Sequence, residues 1–312
     1  MEISPFRRSM TYKPFAFPFA IELTIRHENA HWIESEIDLA DDIHEWKTNK
    51  LSDIEKAYIT NILRLFTQSD VAVASNYIDH LLPTFQNNEI RQMLLSFASR
   101  ESTHQRSYAL LNESLCLPDS EYHAFLSYVE MCDKLENMTN LSMFNDNEVA
   151  LSLIKCVFSE GLSLFASFAM LLNFQRSGRM KGMGKVVEWS IRDETMHVEG
   201  LVALFHATGY RPLYSSVFDL CETFVKLEDA FIDLAYGKIG TIAGLSCDDM
   251  KRYVRYIADN RMIQLQYEPI FAIGKNPLSW MDWIVNGVDH TNFFENKITE
   301  YDVAGLRGTW AY

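Results

Sequence analysis

Residues 100–108 read Arg100-Glu101-Ser102-Thr103-His104-Gln105-Arg106-Ser107-Tyr108, and a counterpart further on reads Arg192-Asp193-Glu194-Thr195-Met196-His197. Each contains Glu-x-x-His. On a helix, residues i and i+3 share a face. Glu101 with His104, and Glu194 with His197, can each aim a carboxylate and an imidazole at one point. One such pair arises readily by chance on a helix surface. Two pairs in one chain are a stronger signal.

Two Glu-x-x-His helices joined by one inward acid from each of two further helices form the ligand set of ferritin-like di-metal bundles. That recipe asks for two lone acids in apolar helices. Asp70 lies in Leu65-Phe66-Thr67-Gln68-Ser69-Asp70-Val71-Ala72-Val73-Ala74, and Glu160 in Cys156-Val157-Phe158-Ser159-Glu160-Gly161-Leu162-Ser163-Leu164-Phe165. A single acid in such a run is costly unless paired or metal-bound. The order is acid, Glu-x-x-His, acid, Glu-x-x-His. The intervals, 31 (70 to 101) and 34 (160 to 194), nearly match.

The chain has 312 residues, 48% hydrophobic, with a net charge of −14. This charge argues against a general nucleic-acid binder, since phosphate contacts need a basic face. A solvated acidic surface is the plainer account of the charge. Cysteines 116, 132, 156, 221 and 247 show no Cys-x-x-Cys spacing, which suits reduced, buried thiols. Met1 to Lys13 has no apolar signal core, and runs such as Leu162 to Phe174 are too short to span a bilayer. The expectation is a cytoplasmic protein that engages neither nucleic acid nor membrane.

In chain order, Pro5, Pro14 and Pro18 predict an irregular N-terminal arm over 1–30. Ser52-Asp53-Ile54-Glu55 is a capping box that starts a helix through Asp70 toward Leu82. A second helix is expected over about 89–112, a third over 119–141, and another opening at Asp146 and containing Glu160. Helices over 183–208, 213–236 and 247–271 follow, and nothing reads as a sheet. The last residues lose periodicity and predict a flexible tail over 296–312. The fold class is therefore all-α: one ferritin-like helical domain over 31–295, with extra helices beyond the bundle.

Four carboxylates and two imidazoles suit iron or manganese at two adjacent positions. The thiolates of structural zinc sites are missing from this set. Tyr108 follows Glu101 by seven residues and His104 by four, so it projects to the same face. A core tyrosine is the ordinary reading. Beside an oxygen-activating metal pair, a one-electron-oxidised tyrosine is the sharper one.

With these motifs in place, the chain from about Trp32 to Tyr301 resembles the small, radical-generating subunit of class I ribonucleotide reductase. The set Asp70, Glu101, His104, Glu160, Glu194 and His197 is complete for that family, and Tyr108 falls at its radical-tyrosine position. Lys275-Asn276-Pro277-Leu278-Ser279-Trp280-Met281 and Asn292-Phe293-Phe294-Glu295-Asn296-Lys297-Ile298-Thr299-Glu300-Tyr301 resemble further family signatures. The resemblance implies that Trp32, in Trp-x-x-x-Glu-Ile-Asp, relays electrons near the metals, with Asp193 its hydrogen-bond partner and His104 the link onward. It implies a homodimer whose tail docks on a large catalytic subunit, with Tyr301 passing the radical across. Trp310 and Tyr312 are candidate anchors of that tail. Only 11 residues follow Tyr301, a shorter and less acidic tail than is usual, and Leu164 stands where an aromatic is frequent.

Two other functions compete. A ferritin-like oxidase or hydroxylase acting on its own substrate shares the ligands but has no use for Tyr301 or a Trp32–Asp193 relay. An iron-storage bundle is shorter and does not explain Tyr108. Among cofactors, two irons come first. Two manganese ions, activated through a flavoprotein, or a mixed manganese–iron pair are the alternatives, since ligand identity alone does not separate neighbouring metals.

Overall fold

The computed structural model describes residues 4–282. Tyr301, Trp310, Tyr312, the 292–301 signature and the expected tail over 296–312 lie outside the described residues. Among the described residues, twelve α-helices appear in the order α1 (Pro18–Asn29), α2 (Ala40–Lys47), α3 (Asp53–Ser75), α4 (Leu82–Thr84), α5 (Asn88–Ser114), α6 (Glu121–Ala124), α7 (Val129–Thr139), α8 (Asp146–Phe158), α9 (Leu164–Arg176), α10 (Lys181–Thr208), α11 (Tyr214–Tyr236) and α12 (Cys247–Gln264). The only strands among the described residues are the antiparallel pair Thr241–Ile242 and Leu245–Ser246.

The capping box forms as the sequence predicts. Ser52 Oγ accepts the Glu55 amide, and the Glu55 carboxylate accepts the Ser52 amide. From that start α3 carries Tyr58, Ile62, Phe66, Asp70 and Val73 inward. It then passes through a π-helical turn, Asn76–Leu81, into α4. In the same way α8 runs through a second π turn, Ser159–Ser163, into α9. α5 packs on α3 and α1, and α10 packs on α8, α9 and α5. These long rods enclose one continuous core, to which α11 and α12 also contribute buried residues. The stretch Asp146–Arg176 is apolar and long enough by composition to cross a membrane. However, 89% of its most apolar window is buried inside the fold, which makes it a core rod.

Three expectations need correction. Residues 1–30 are not irregular throughout, because Pro18–Asn29 is helical. Pro18 stands in the first helical turn, where its missing N–H is not needed. The helix expected over 119–141 is broken, with Tyr128 extended at φ −121° and ψ 114°. There Arg64 of α3 donates to the Tyr128 hydroxyl at 3.0 Å and pairs with Glu121, so tertiary contacts override the local pattern. The helix from 247 ends at Gln264 rather than 271. Asp259 instead accepts the amides of Ile270, Phe271 and Ile273 at 2.8 Å each, fixing the segment after the helix as a loop.

α10 also begins in a way that local sequence does not announce. Its N-cap, Met180, is left-handed (φ 50°) and makes no side-chain cap. The cap comes from α2, where Glu45 accepts the Met180 amide at 2.8 Å and Asp42 accepts those of Gly182 and Met183 at 2.9 and 2.6 Å. A side chain at Gly182 would sit 2.6 Å from the Asp38 carbonyl, so this close approach requires glycine.

Candidate metal centre

Each inward acid and each Glu-x-x-His pair occupies a different rod. Asp70 lies on α3, Glu101 and His104 on α5, Glu160 in the second π turn, and Glu194 and His197 on α10. All six are at most 2% exposed. Their ligand atoms form two groups, each within 4.8 Å: Asp70, Glu101 and His104, and Glu101, Glu160, Glu194 and His197. Glu101 belongs to both. Its Oε2 lies 3.4 Å from His104 Nδ1 and its Oε1 3.1 Å from His197 Nδ1. Glu194 spans the same gap, with Oε1 3.3 Å from His104 Nδ1 and Oε2 3.2 Å from His197 Nδ1. Two carboxylates thus reach between two imidazoles, the disposition of bridging ligands.

The electrostatics fit cation binding. Burial pushes Asp70 well above the usual carboxylate range and Glu160 up to about 8, partly opposed at Glu160 by His197. Against burial, the His197 imidazole and contacts to His104 hold Glu194 down to about 2. Also against burial, Glu101 raises His104 well above the ordinary histidine range, and Glu194 does the same for His197. Both Glu101 oxygens, Asp70 Oδ2, Glu194 Oε2 and His104 Nδ1 are buried without a hydrogen-bond partner. Orphaned polar atoms are rare in protein interiors and need a reason. An oxygen-rich set with two imidazoles is the chemistry of a pair of hard or borderline divalent ions, so these residues fit such a pair.

Beside the cluster, Asp193 Oδ2 accepts from Trp32 Nε1 at 2.7 Å, Arg100 Nη1 at 3.0 Å and His104 Nε2 at 3.2 Å. Against burial, the hydrogen bond with His104 first, then the Arg100 charge and the more distant effect of Arg192, hold Asp193 far below the usual carboxylate range. The Trp32 ring stacks on His104 at 5.9 Å. Asp193 accepts a hydrogen bond from His104 Nε2–H, which leaves Nδ1 facing the carboxylates. The structure thereby brings Trp32, Asp193 and His104 into one hydrogen-bonded line. Tyr108 is fully buried, with its ring 4.7 Å from that of Phe66 and its hydroxyl 3.3 Å from Ser190 Oγ. Burial first, and the Asp70 carboxylate second, raise its hydroxyl well above the ordinary tyrosine range, so it is protonated.

Sequence reading missed three residues. His27, held down to about 2 by burial and by His197, stays neutral. Its Nδ1–H donates to Ser96 Oγ at 2.7 Å, since the Ser96 hydroxyl itself donates to Glu28. Its Nε2 therefore accepts from His197 Nε2 at 3.1 Å. Tyr77 donates to Glu160, with oxygens 2.9 and 2.8 Å away. Arg100 stood inside the opening motif without a role. The available signal was a histidine and a tyrosine inside amphipathic helices, which core packing explains equally well.

A helical bundle with this buried Glu/His cluster, able to hold two metal ions, belongs to the ferritin-like di-metal carboxylate class. Residues 9–277 match the family described as "Ribonucleotide reductase, small chain", and the chain belongs to that family. It is 41% identical to the "Probable ribonucleoside-diphosphate reductase small subunit 048L" of Invertebrate iridescent virus 3, over 97% of this chain and 86% of that one. Among solved structures, the fold is similar to the Rnr4 homodimer of Saccharomyces cerevisiae ribonucleotide reductase (TM-score 0.78, 20% identity, 95% and 90% of the two chains). It is also similar to dimanganese(II)-NrdF of Streptococcus sanguinis (TM-score 0.76, 18% identity, 91% and 100%). The chain is therefore the small subunit of a ribonucleotide reductase, not a self-contained oxidase or a store of iron.

Proposed function

We propose that Asp70, Glu101, His104, Glu160, Glu194 and His197 bind two metal ions, and that the oxidising equivalent made there is kept on Tyr108 for export to a large catalytic subunit. The observation that carries this reading is Glu101, shared between two buried ligand groups with neither oxygen hydrogen-bonded. When bound, the ion pair supplies oxygen activation and the one-electron oxidising power. The protein's own groups do the rest. Asp193 and His27 fix the tautomers of His104 and His197, so that both Nδ1 atoms face the carboxylates. Tyr108 is the side chain that would be oxidised by one electron, and its fully buried ring against Phe66 would shield a radical from solvent reductants. Trp32 is the electron relay, in contact with the ligand His104 through Asp193.

The same reading takes iron as the metal pair. Dimanganese, carried by the Streptococcus sanguinis relative and activated here through a flavoprotein, or a manganese–iron pair are the alternatives. It takes a ribonucleoside diphosphate as the substrate class, by the viral relative's name. The subunit forms a cytoplasmic homodimer, as the yeast relative is a homodimer. Its residues 296–312 dock on the large subunit, and Tyr301 carries the radical across. Anaerobic loading followed by metal analysis tests the core of this: two ions per chain are expected, and one or none would overturn it.

A further inference from the structure

The two π turns of the bundle meet at one hydrogen bond. Tyr77 stands in the turn Asn76–Leu81, and Glu160 in the turn Ser159–Ser163. A π turn inserts a residue into a helix and re-aims the side chains around it, and such turns cluster at functional sites. Both turns are braced by side chains from other helices. Asn76 Nδ2 donates to the Met138 carbonyl at 3.0 Å. Lys134 Nζ donates to the Ser163 carbonyl at 3.0 Å, and Arg261 Nε to that of Gly161 at 2.9 Å. Lys134 and Arg261 are themselves buried. Long cationic side chains seldom enter a core without a specific partner, and here they take carbonyls of the turn that carries Glu160.

At the junction, the Tyr77 hydroxyl is fully buried and points at both oxygens of Glu160, at 2.9 and 2.8 Å. Asp70 and Glu101 have no comparable donor, and buried oxygens of both are unpartnered. Glu160 is thus the candidate ligand whose carboxylate is oriented by a neutral hydroxyl rather than by a neighbouring charge alone.

We propose that Tyr77 is a positioning residue for Glu160: its hydroxyl holds that carboxylate on the His197 side of the cluster and so sets the affinity of one of the two ions. This rests on the two-ion reading above and adds a residue that neither the Glu-x-x-His pattern nor the inward acids contain. The ion held by Glu101, Glu160, Glu194 and His197 depends on Tyr77. The ion held by Asp70, Glu101 and His104 does not. Partners behind a metal ligand typically tune affinity by about 10–100-fold.

The test is Tyr77→Phe in the full chain, which keeps the ring and removes only the hydroxyl. Metal-free protein is titrated anaerobically with Mn(II), and free and spin-coupled manganese are followed by electron paramagnetic resonance. The wild type should fill both positions and show a coupled two-ion signal. The variant should bind one equivalent as the wild type does and the other about 10–100-fold more weakly, delaying the coupled signal. Equal weakening of both ions would reflect general loosening, and wild-type affinity for both would remove the role. Either outcome overturns the proposal. A wild type that never binds a second ion would instead refute the two-ion reading itself. Should Tyr77→Phe fold poorly, a fluorotyrosine at position 77 keeps the shape and makes the hydroxyl a stronger donor. It should shift one of the two affinities alone, and no shift would count against the proposal.

Discussion

At the scale of single residues, the centre depends on which atoms each side chain leaves free. His104 and His197 each spend Nε2 on a neighbour, Asp193 or His27, and keep Nδ1 for the cluster. Glu101 offers an oxygen to each imidazole and makes no hydrogen bond with either. Because it belongs to both groups, Glu101→Ala should abolish loading of both ions in a metal analysis, and retention of one full equivalent would contradict its bridging place. Four of the six candidate ligands were legible in the sequence because helical spacing alone puts Glu101 beside His104 and Glu194 beside His197, and Asp70 and Glu160 because each is a lone acid in an apolar run. His27 and Tyr77 were not, because their partners lie 170 and 83 residues away and no local pattern connects them.

Among the helices, precision comes from long-range capping and bracing. The N-terminus of α10, which leads to Glu194 and His197, is capped by Asp42 and Glu45 of α2. The turn holding Glu160 leans on Lys134, whose charge is balanced by the buried Glu228 at 2.8 Å. Burial lowers Lys134 and raises Glu228 relative to their ordinary values, so the pair is under desolvation strain and depends on both members. Lys134→Ala leaves Glu228 buried without its partner and should destabilise the protein by about 3–5 kcal/mol in urea unfolding. A loss below about 1 kcal/mol would mean that the pair is not a structural tie. The Ser52–Glu55 capping box could be read from four adjacent residues. The break at Tyr128 could not, since it is imposed by Arg64 from another helix. Pro18 misled because proline stops a helix in its interior but not in its first turn.

For the whole molecule, the account assigns the small subunit the making and keeping of an oxidising equivalent, and leaves nucleotide chemistry to another chain. The proposed export route runs through Tyr301, which lies outside the described residues. Tyr301→Phe should leave metal content and the Tyr108 radical intact and stop turnover with the large subunit, and undiminished turnover would remove Tyr301 from the path. All-α class and ferritin-like bundle were legible because two spaced motifs and two lone acids demand four long rods. The central claim is that this bundle's metal pair oxidises Tyr108. It is tested most directly by electron paramagnetic resonance on protein loaded anaerobically with ferrous iron and then exposed to oxygen. The account predicts a tyrosyl signal in the wild type that disappears in Tyr108→Phe at unchanged metal content. A signal that persists in Tyr108→Phe, or a fully loaded wild type that forms no radical or high-valent state with iron or manganese, would contradict it.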